Sequence, residues 1–312
     1  MKLLSFGDVN VDFIAAVDSL PEGGEEVEMT EFDIHAGGSA ANTAVAAQRL
    51  GLESVFMGRT GKGPLGHFLK KDFEDEGIDI GQVQEDADLS SGVMFVLITP
   101  GGERTMFSSR GANSRFNPRE MDLECLDGVE YLHISGYAFI QPPQRDAGKR
   151  IIKAARGRDL KISLDPSVLG LQKSREEIES ILSYPDFLFI SEPELRMLTE
   201  ISDIEEASEQ LLEKGPSLIA LKMGKKGCYV FTEKKRIFMK AFSTDVRGTT
   251  GAGDAFNAAF LVGLDRGWSL EKIAKFANAA GAISVSKFGA RSGLPKFKEV
   301  ESFLMSKENG TQ

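Results

Sequence analysis

Short apolar runs alternate with helical patterns along most of the chain, and that alternation limits the possible folds more than any other feature. The runs "KLLSFGD", "ESVFMG", "EYLHIS", "LKISLD", "DFLFI" and "SLIALK" are apolar, with β-branched or aromatic residues, as in strands buried on both faces. Between them, "GHFLKKDFEDEG", "QRDAGKRIIKAARG" and "EEASEQLLEKG" carry helical spacing and run into glycines suited to a C-cap. Strands that alternate with helices predict a parallel sheet covered on both faces. Two stretches break the rule. "VDFIAAVDSL" with "EEVEMTEFDIHA", and "SGVMFVLITPGGERTMFSSR" with its Pro-Gly-Gly turn, read as antiparallel hairpins that together make a small second sheet. No repeat, low-complexity segment or Pro/Ser-rich linker marks a boundary, so residues 1–312 read as one α/β domain. The second sheet, about residues 11–35 and 91–110, is a lid that must cover a substrate site or a partner subunit.

Composition removes several functions. A net charge of -10 disfavours a nucleic-acid partner, because phosphate backbones are held by clustered Lys and Arg. No apolar run approaches the roughly 20 residues that cross a bilayer. The N-terminus "MKLLSFGDVNVD" reaches polar and acidic residues too early for a signal peptide, and a cytoplasmic location is expected. Cys125 and Cys228 lie far apart without ligand spacing and read as reduced and structural. His35, His67 and His133 are scattered and show no metal spacing.

The chemistry gathers in "RGTTGAGDAFNAAFLVGLDRG", Arg247 to Gly267, where Asp254 stands at the start of an amphipathic helix pattern. On its own Asp254 is equally well explained as a helix cap. Gly251 and Gly253 shift the balance, since paired glycines let backbone amides converge on an anion at the positive end of a helix. A carboxylate beside an anion hole repels the anion. It makes sense as a base that takes a proton from a hydroxyl attacking a phosphoryl group.

Other polar residues are placed for binding. In "HAGGSAANTAVAAQRLG", Gly37 and Gly38 allow a ligand close to the backbone, and Asn42 offers a donor and an acceptor to a sugar hydroxyl. "GDVNVD" sets Asn10 and Asp12 at the end of the first strand and on one side of it, although turn chemistry explains them as well. "GKGPLG", Gly61 to Gly66, matches the G-x-G-x-x-G spacing of dinucleotide sites. Pro64 removes an N–H from that turn, so the stretch reads as a helix start. No Walker A motif is present.

Taken together, these residues resemble the ribokinase-like (PfkB) family of carbohydrate kinases over nearly the whole chain. "AGGSAAN" resembles the family's Gly-Gly motif and "TTGAGDAF" its C-terminal signature. The resemblance implies a three-layer α/β/α Rossmann-like domain with a mostly parallel central sheet and a β lid. It implies Asp254 as catalytic base, with Gly251, Ala252 and Gly253 as anion hole, and Asn10, Asp12, Gly37, Gly38 and Asn42 on the sugar. ATP and Mg2+ are the implied cofactors. "KMGKKG" is similar to the family's nucleotide loop and brings in Lys222, Gly224 and Gly227, with Thr249 beside them. "FANAAGAISVSKFGA" is similar to the segment flanking adenine and places Asn278 near the base. Glu194 in "SEPE" stands where the family has the Glu that organises magnesium.

The departures carry information as well. Ser191 replaces the Asn of the Asn-x-x-Glu motif, which predicts a rearranged magnesium shell. Gly248 and Gly293 stand where many members have the Asp and Ser that help hold potassium, so strong potassium activation is not expected. Ser39, in place of a ribokinase-type Lys, counts against ribose, and "LDPSVLG" lacks the Asp-x-Asn-x-Arg pattern of many fructokinases. Arg104 and Arg110, in and just after the lid hairpin, are either surface charges or partners for an anionic group. The expectation is an ATP-dependent kinase acting on a primary hydroxyl of a small sugar or sugar derivative. The alternatives are a nucleoside kinase of the same family, marked by a base-stacking aromatic such as Phe107, Tyr137 or Phe139, and a sugar-binding regulator without catalysis. Dimerisation through the lid edge is a further expectation.

Overall fold

The structure, a computed structural model, describes residues 2–101, 103–287 and 289–309. Gly102 of the Pro-Gly-Gly turn and Phe288 of the adenine-flanking segment lie outside the described residues. In chain order the first part comprises β1 (Lys2–Phe6), β2 (Asn10–Val17), β3 (Met29–Gly37), α1 (Ser39–Arg49), β4 (Glu53–Gly61), α2 (Pro64–Asp75) and β5 (Asp79–Asp86). The middle comprises β6 (Gly92–Ile98), β7 (Arg104–Ser109), β8 (Tyr131–Ser135), α3 (Gln144–Arg156), β9 (Lys161–Asp165), α4 (Val168–Glu179), β10 (Phe187–Ser191), α5 (Glu192–Thr199) and α6 (Ile204–Glu213). The last part comprises β11 (Leu218–Lys222), β12 (Gly227–Thr232), β13 (Arg236–Lys240), α7 (Ala252–Asp265), α8 (Leu270–Val285), α9 (Ala290–Gly293) and α10 (Phe297–Asn309).

The main sheet has the order β13-β12-β11-β10-β9-β8-β1-β4-β5, parallel except for the β12 and β13 edge. Its strands send alternate side chains to opposite faces, as a doubly covered sheet requires. Leu218 and Ala220 enter the core shared with α1, α7 and α8, while Ile219 and Leu221 enter the core shared with α3 and α6. Three layers result. The chain winds from β1 to β4 and β5 on one side and from β8 onward on the other, so its direction reverses between β1 and β8.

The second sheet has the order β3-β2-β6-β7. Asn10, Asp12, Met94, Val96 and Met106 face the cavity beneath it. The opposite face carries a row across all the strands, Ile34 beside Phe13, Phe13 beside Phe95, and Phe95 beside Phe107. Phe13 and Phe95 stack with centroids 4.9 Å apart.

Two expectations need correction, and a third, the structural reading of "GKGPLG", holds. Asn10 and Asp12 do not end the first strand; β1 stops at Phe6, and both residues belong to β2 of the lid. The bend at Gly7 separates the two strands, so it is Asp8 that stands just beyond the end of β1. The helix after Gly251 is not amphipathic, because every residue from Asp254 to Gly263 is buried where α7 packs between α1 and α8. "GKGPLG" is a packing device: a Cβ on Gly66 would lie 1.7 Å from the Gly61 carbonyl oxygen, and Pro64 opens α2.

Candidate active site

Open α/β sheets bind ligands beyond the carboxyl ends of their strands where the strand order reverses. Here that position holds a cavity of about 190 Å³ walled by Asp8, Asn10, Asp12, Gly38, Ser39, Asn42, Tyr137, Thr250 and Asp254 and roofed by the lid. A larger cleft, about 410 Å³, opens near Arg59 and Arg115, but those arginines are ion-paired with Asp86 and Asp88 within it. The cavity at the strand ends, which gathers Asp8, Asp12 and Asp254, is the better candidate.

Asp254 is the third residue of α7, whose N-cap is Gly251 at φ 83, in the left-handed region glycine favours. Its side chain caps nothing. Ser39 Oγ donates to Oδ1 at 2.8 Å and Asn42 Nδ2 donates to Oδ2 at 2.9 Å, so both oxygens are held by α1. Burial pushes this carboxyl up to about 6, against the lowering effect of the Asn42 bond. Asp12 shares the cavity, and burial pushes it up to about 7, with Arg291 opposing the rise and Asp254 adding to it. A Cβ on Gly37 would lie 2.2 Å from Asp12 Oδ2, so glycine there makes room for the carboxylate. Gly38, at φ 100, would clash with the Asp8 carbonyl oxygen at 2.4 Å if it carried a Cβ.

Among the supporting polar groups, Asn113 and Gln144 give no signal in the sequence. Asn113, fully buried, donates to Asn10 Oδ1 at 3.0 Å and accepts from the Val9 N–H at 3.0 Å. Arg110 is no surface charge. It grips Asp8 with two bonds of 2.9 and 2.8 Å, donates to the Tyr137 carbonyl at 2.9 Å, and also bonds Gln144. Arg104 Nη1 reaches from the lid to Thr250 Oγ at 2.8 Å. Of the candidate stacking aromatics, Tyr137 lines the cavity, Phe139 is core, and Phe107 is 60% exposed on the far face of the lid.

Beneath α7 lies a buried ionic cluster. Lys222 Nζ is 2.6 Å from Asp165 Oδ2, which also accepts from Asn257 Nδ2 at 2.7 Å. Burial works against both ions, yet the ammonium holds Asp165 below the usual range and the carboxylates hold Lys222 above its own. Glu194 is pushed up by burial and by Asp165. Its Oε2 accepts from the Ser191 N–H at 2.7 Å in a capping box that starts α5, the local use to which Ser191 is put. Gly224 at φ 54 and Gly227 at φ 118 shape the β11–β12 turn, and Asn278 Nδ2 donates to the carbonyls of Met239 and Lys240. Thr249 is exposed at the site's mouth, and its neighbour Thr250 faces the cavity. A Cβ on Gly293 would lie 2.5 Å from the Ser284 carbonyl oxygen, so this backbone has no room for a serine there.

A small cavity at the switch point, a carboxylate in the first turn of a buried helix, and a covering lid are the marks of an open α/β enzyme. The comparisons agree with that class. The profile of the pfkB family carbohydrate kinases matches residues 1–296. Fructokinase-1 of Oryza sativa subsp. japonica is 32% identical over 319 residues, covering 97% of this chain and 98% of that one. Ribokinase of Thermotoga maritima superposes with a TM-score of 0.85 at 27% identity, over 98% of this chain and 99% of that one. Arabidopsis thaliana ribokinase complexed with ribose and ATP gives 0.83 at 27% identity, over 97% and 98%. The chain belongs to the pfkB family and is an ATP-dependent carbohydrate kinase.

Proposed function

We propose that this kinase phosphorylates a primary hydroxyl of a small neutral sugar, with Asp254 as general base. The observation that carries the reading is the Asp254 carboxylate, held by Ser39 and Asn42 at the N-terminal turn of the 14-residue helix α7 and facing the cavity with Asp12 and Asn10. The base takes the hydroxyl proton as that oxygen attacks, and the amides from Gly251 to Gly253 receive negative charge on the moving phosphoryl group. Asn10, Asp12, Gly38 and Asn42 orient the sugar. The lid excludes water and so limits hydrolysis of the phosphoryl donor.

Two features support a neutral sugar. Arg110, which reaches the cavity wall at Asp8, is neutralised by that carboxylate. The cavity of about 190 Å³ is smaller than the roughly 300–1,000 Å³ of sites for larger ligands. A nucleoside is the second reading, favoured by Tyr137 in the cavity wall.

The residues present fit ATP and magnesium. The Gly224–Gly227 turn has an open side at Gly224, where a Cβ would meet nothing within 4 Å, and Asn278 pins β13 beside it. Among the described residues no group of three metal-binding side chains exists. That suits magnesium, which keeps waters and binds through one or two carboxylates and the nucleotide phosphates. Glu194 is the carboxylate that would help hold the ion, indirectly, and the ion when bound would supply charge neutralisation to the nucleotide phosphates. Lys222 and Thr249 complete the nucleotide side, Lys222 indirectly from beneath Gly253.

The exposed row on the lid supports a homodimer through that face. No helix among the described residues is long and apolar enough to cross a membrane, and we place the enzyme in the cytoplasm. The deciding experiment is an ATP-consumption screen over sugars, sugar acids and nucleosides, with Asp254→Asn as control. Turnover on one neutral sugar that vanishes in the variant supports the reading. Turnover that survives in Asp254→Asn refutes the base.

A further inference from the structure

Arg291 lies in α9, a helix of four residues, and is only 4% exposed. On its outer side it is ion-paired with Asp72 of α2 and sits over the Phe73 ring at 4.6 Å. On its inner side Nε donates to Asn42 Oδ1 at 3.4 Å. A guanidinium can only donate, so it fixes which end of the Asn42 amide faces it. The carbonyl oxygen turns to Arg291, and the amide nitrogen is left pointing at Asp254 Oδ2, to which it donates at 2.9 Å.

Resting on the assignment of Asp254 as base, we infer that Arg291 is a positioning residue for it: through Asn42 it orients the carboxylate, and its buried charge lets the neighbouring Asp12 ionise beside it. The groups around it sharpen the point. Asp12 comes from β2, His35 from β3 with its ring against Gly289, Arg49 and Asn42 from α1 and Asp72 from α2, while Asp254 of α7 is faced by Asp165 of β9 and Lys222 of β11. Arg49 donates to the Arg291 carbonyl at 2.8 Å, but its charge is committed to Glu76. Arg291 is therefore the cation opposing the rise of Asp12. A buried charge is costly unless its pairing is used, and here one side of the pairing leads to the reacting carboxylate.

The test is the pH dependence of kcat/KM between about pH 5 and pH 9 for Arg291→Met, Arg291→Lys, Asp72→Asn and Asp254→Asn, with Tm for each. In folded Arg291→Met the acid limb is expected to move up by about one pH unit, because Asp12 loses its opposing cation and Asn42 is no longer oriented toward Asp254. Arg291→Lys restores charge without the directed Nε bond and should recover part of the shift. Asp72→Asn, which removes the anion offsetting Arg291 and leaves its Nε bond in place, should move the limb the other way, to lower pH. A wild-type acid limb in folded Arg291→Met overturns the inference. Should that variant not fold, unmoved limbs in both Arg291→Lys and Asp72→Asn overturn it. Full turnover in Asp254→Asn refutes the base itself, whereas an inactive Asp254→Asn with an unmoved Arg291→Met limb refutes only the role of Arg291.

Discussion

Asp254 is held in two opposed conditions: the fold favours its neutral form, and the proposed chemistry needs its charge. Its pKa is raised from 3.8 to about 6 by burial, so its contribution to stability is fully present below pH 3.8 and is lost as the pH rises through about 6. The difference is about 3 kcal/mol. Asp254→Asn is therefore expected to raise Tm at pH 8 while lowering kcat by about 10²- to 10⁴-fold, read by thermal melts and initial rates. The wild-type acid limb should reflect the Asp12 and Asp254 pair jointly, with activity falling as the pH drops through about 7 to 6. A pH–rate profile that stays flat down to pH 5 would contradict this. At this scale the glycines, Asn42 and Asp254 were legible because short motifs keep them together. Arg291, Asn113 and Asp8 were not, since an arginine in "GARSG" or an asparagine in "GANS" looks like loop polarity until its distant partner is known.

Secondary elements divide in the same way. The inner strands could be read because burial on both faces demands an unbroken apolar run. β5, "DIGQVQED", could not, because an edge strand mixes polar residues into its pattern, and the β12–β13 hairpin is likewise an edge. The helix α7 misled in the opposite sense: small residues and a few aromatics resemble one apolar face, yet burial surrounds it. The Lys222–Asp165 pair ties the ends of β11 and β9 under this helix. Lys222→Met should cost about 3–5 kcal/mol in urea unfolding by stranding Asp165, and Lys222→Met with Asp165→Asn should cost less than the single change. Equal losses would mean that the pair is not coupled. Gly251→Ala forces a Cβ into the left-handed region, at about 1–2 kcal/mol, and to within 3.0 Å of the Ala290 carbonyl oxygen. A drop in kcat larger than the drop in stability is expected, because the anion hole is what shifts.

For the molecule as a whole, the lid does two jobs with its two faces. One roofs the sugar cavity; the other exposes Ile34 at 43%, Phe95 at 49% and Phe107 at 60%. Phe95→Glu with Phe107→Glu is expected to give monomers in sedimentation while leaving the main domain folded; an unchanged sedimentation coefficient would remove the lid as the interface. The lid hairpins were readable from turn chemistry and alternation, but their direction over the cavity was not, because it depends on Asn10 and Asp12 leaving the first strand at Gly7. The bonds from Ser39 and Asn42 to Asp254 span 215 and 212 residues of chain. On the ribosome, β1, the lid and α1 emerge long before α7, and N-terminal segments begin to fold first. On the proposed assignment, a nascent or prematurely terminated chain presents half a sugar pocket and no base, and it spends no ATP until synthesis is nearly finished.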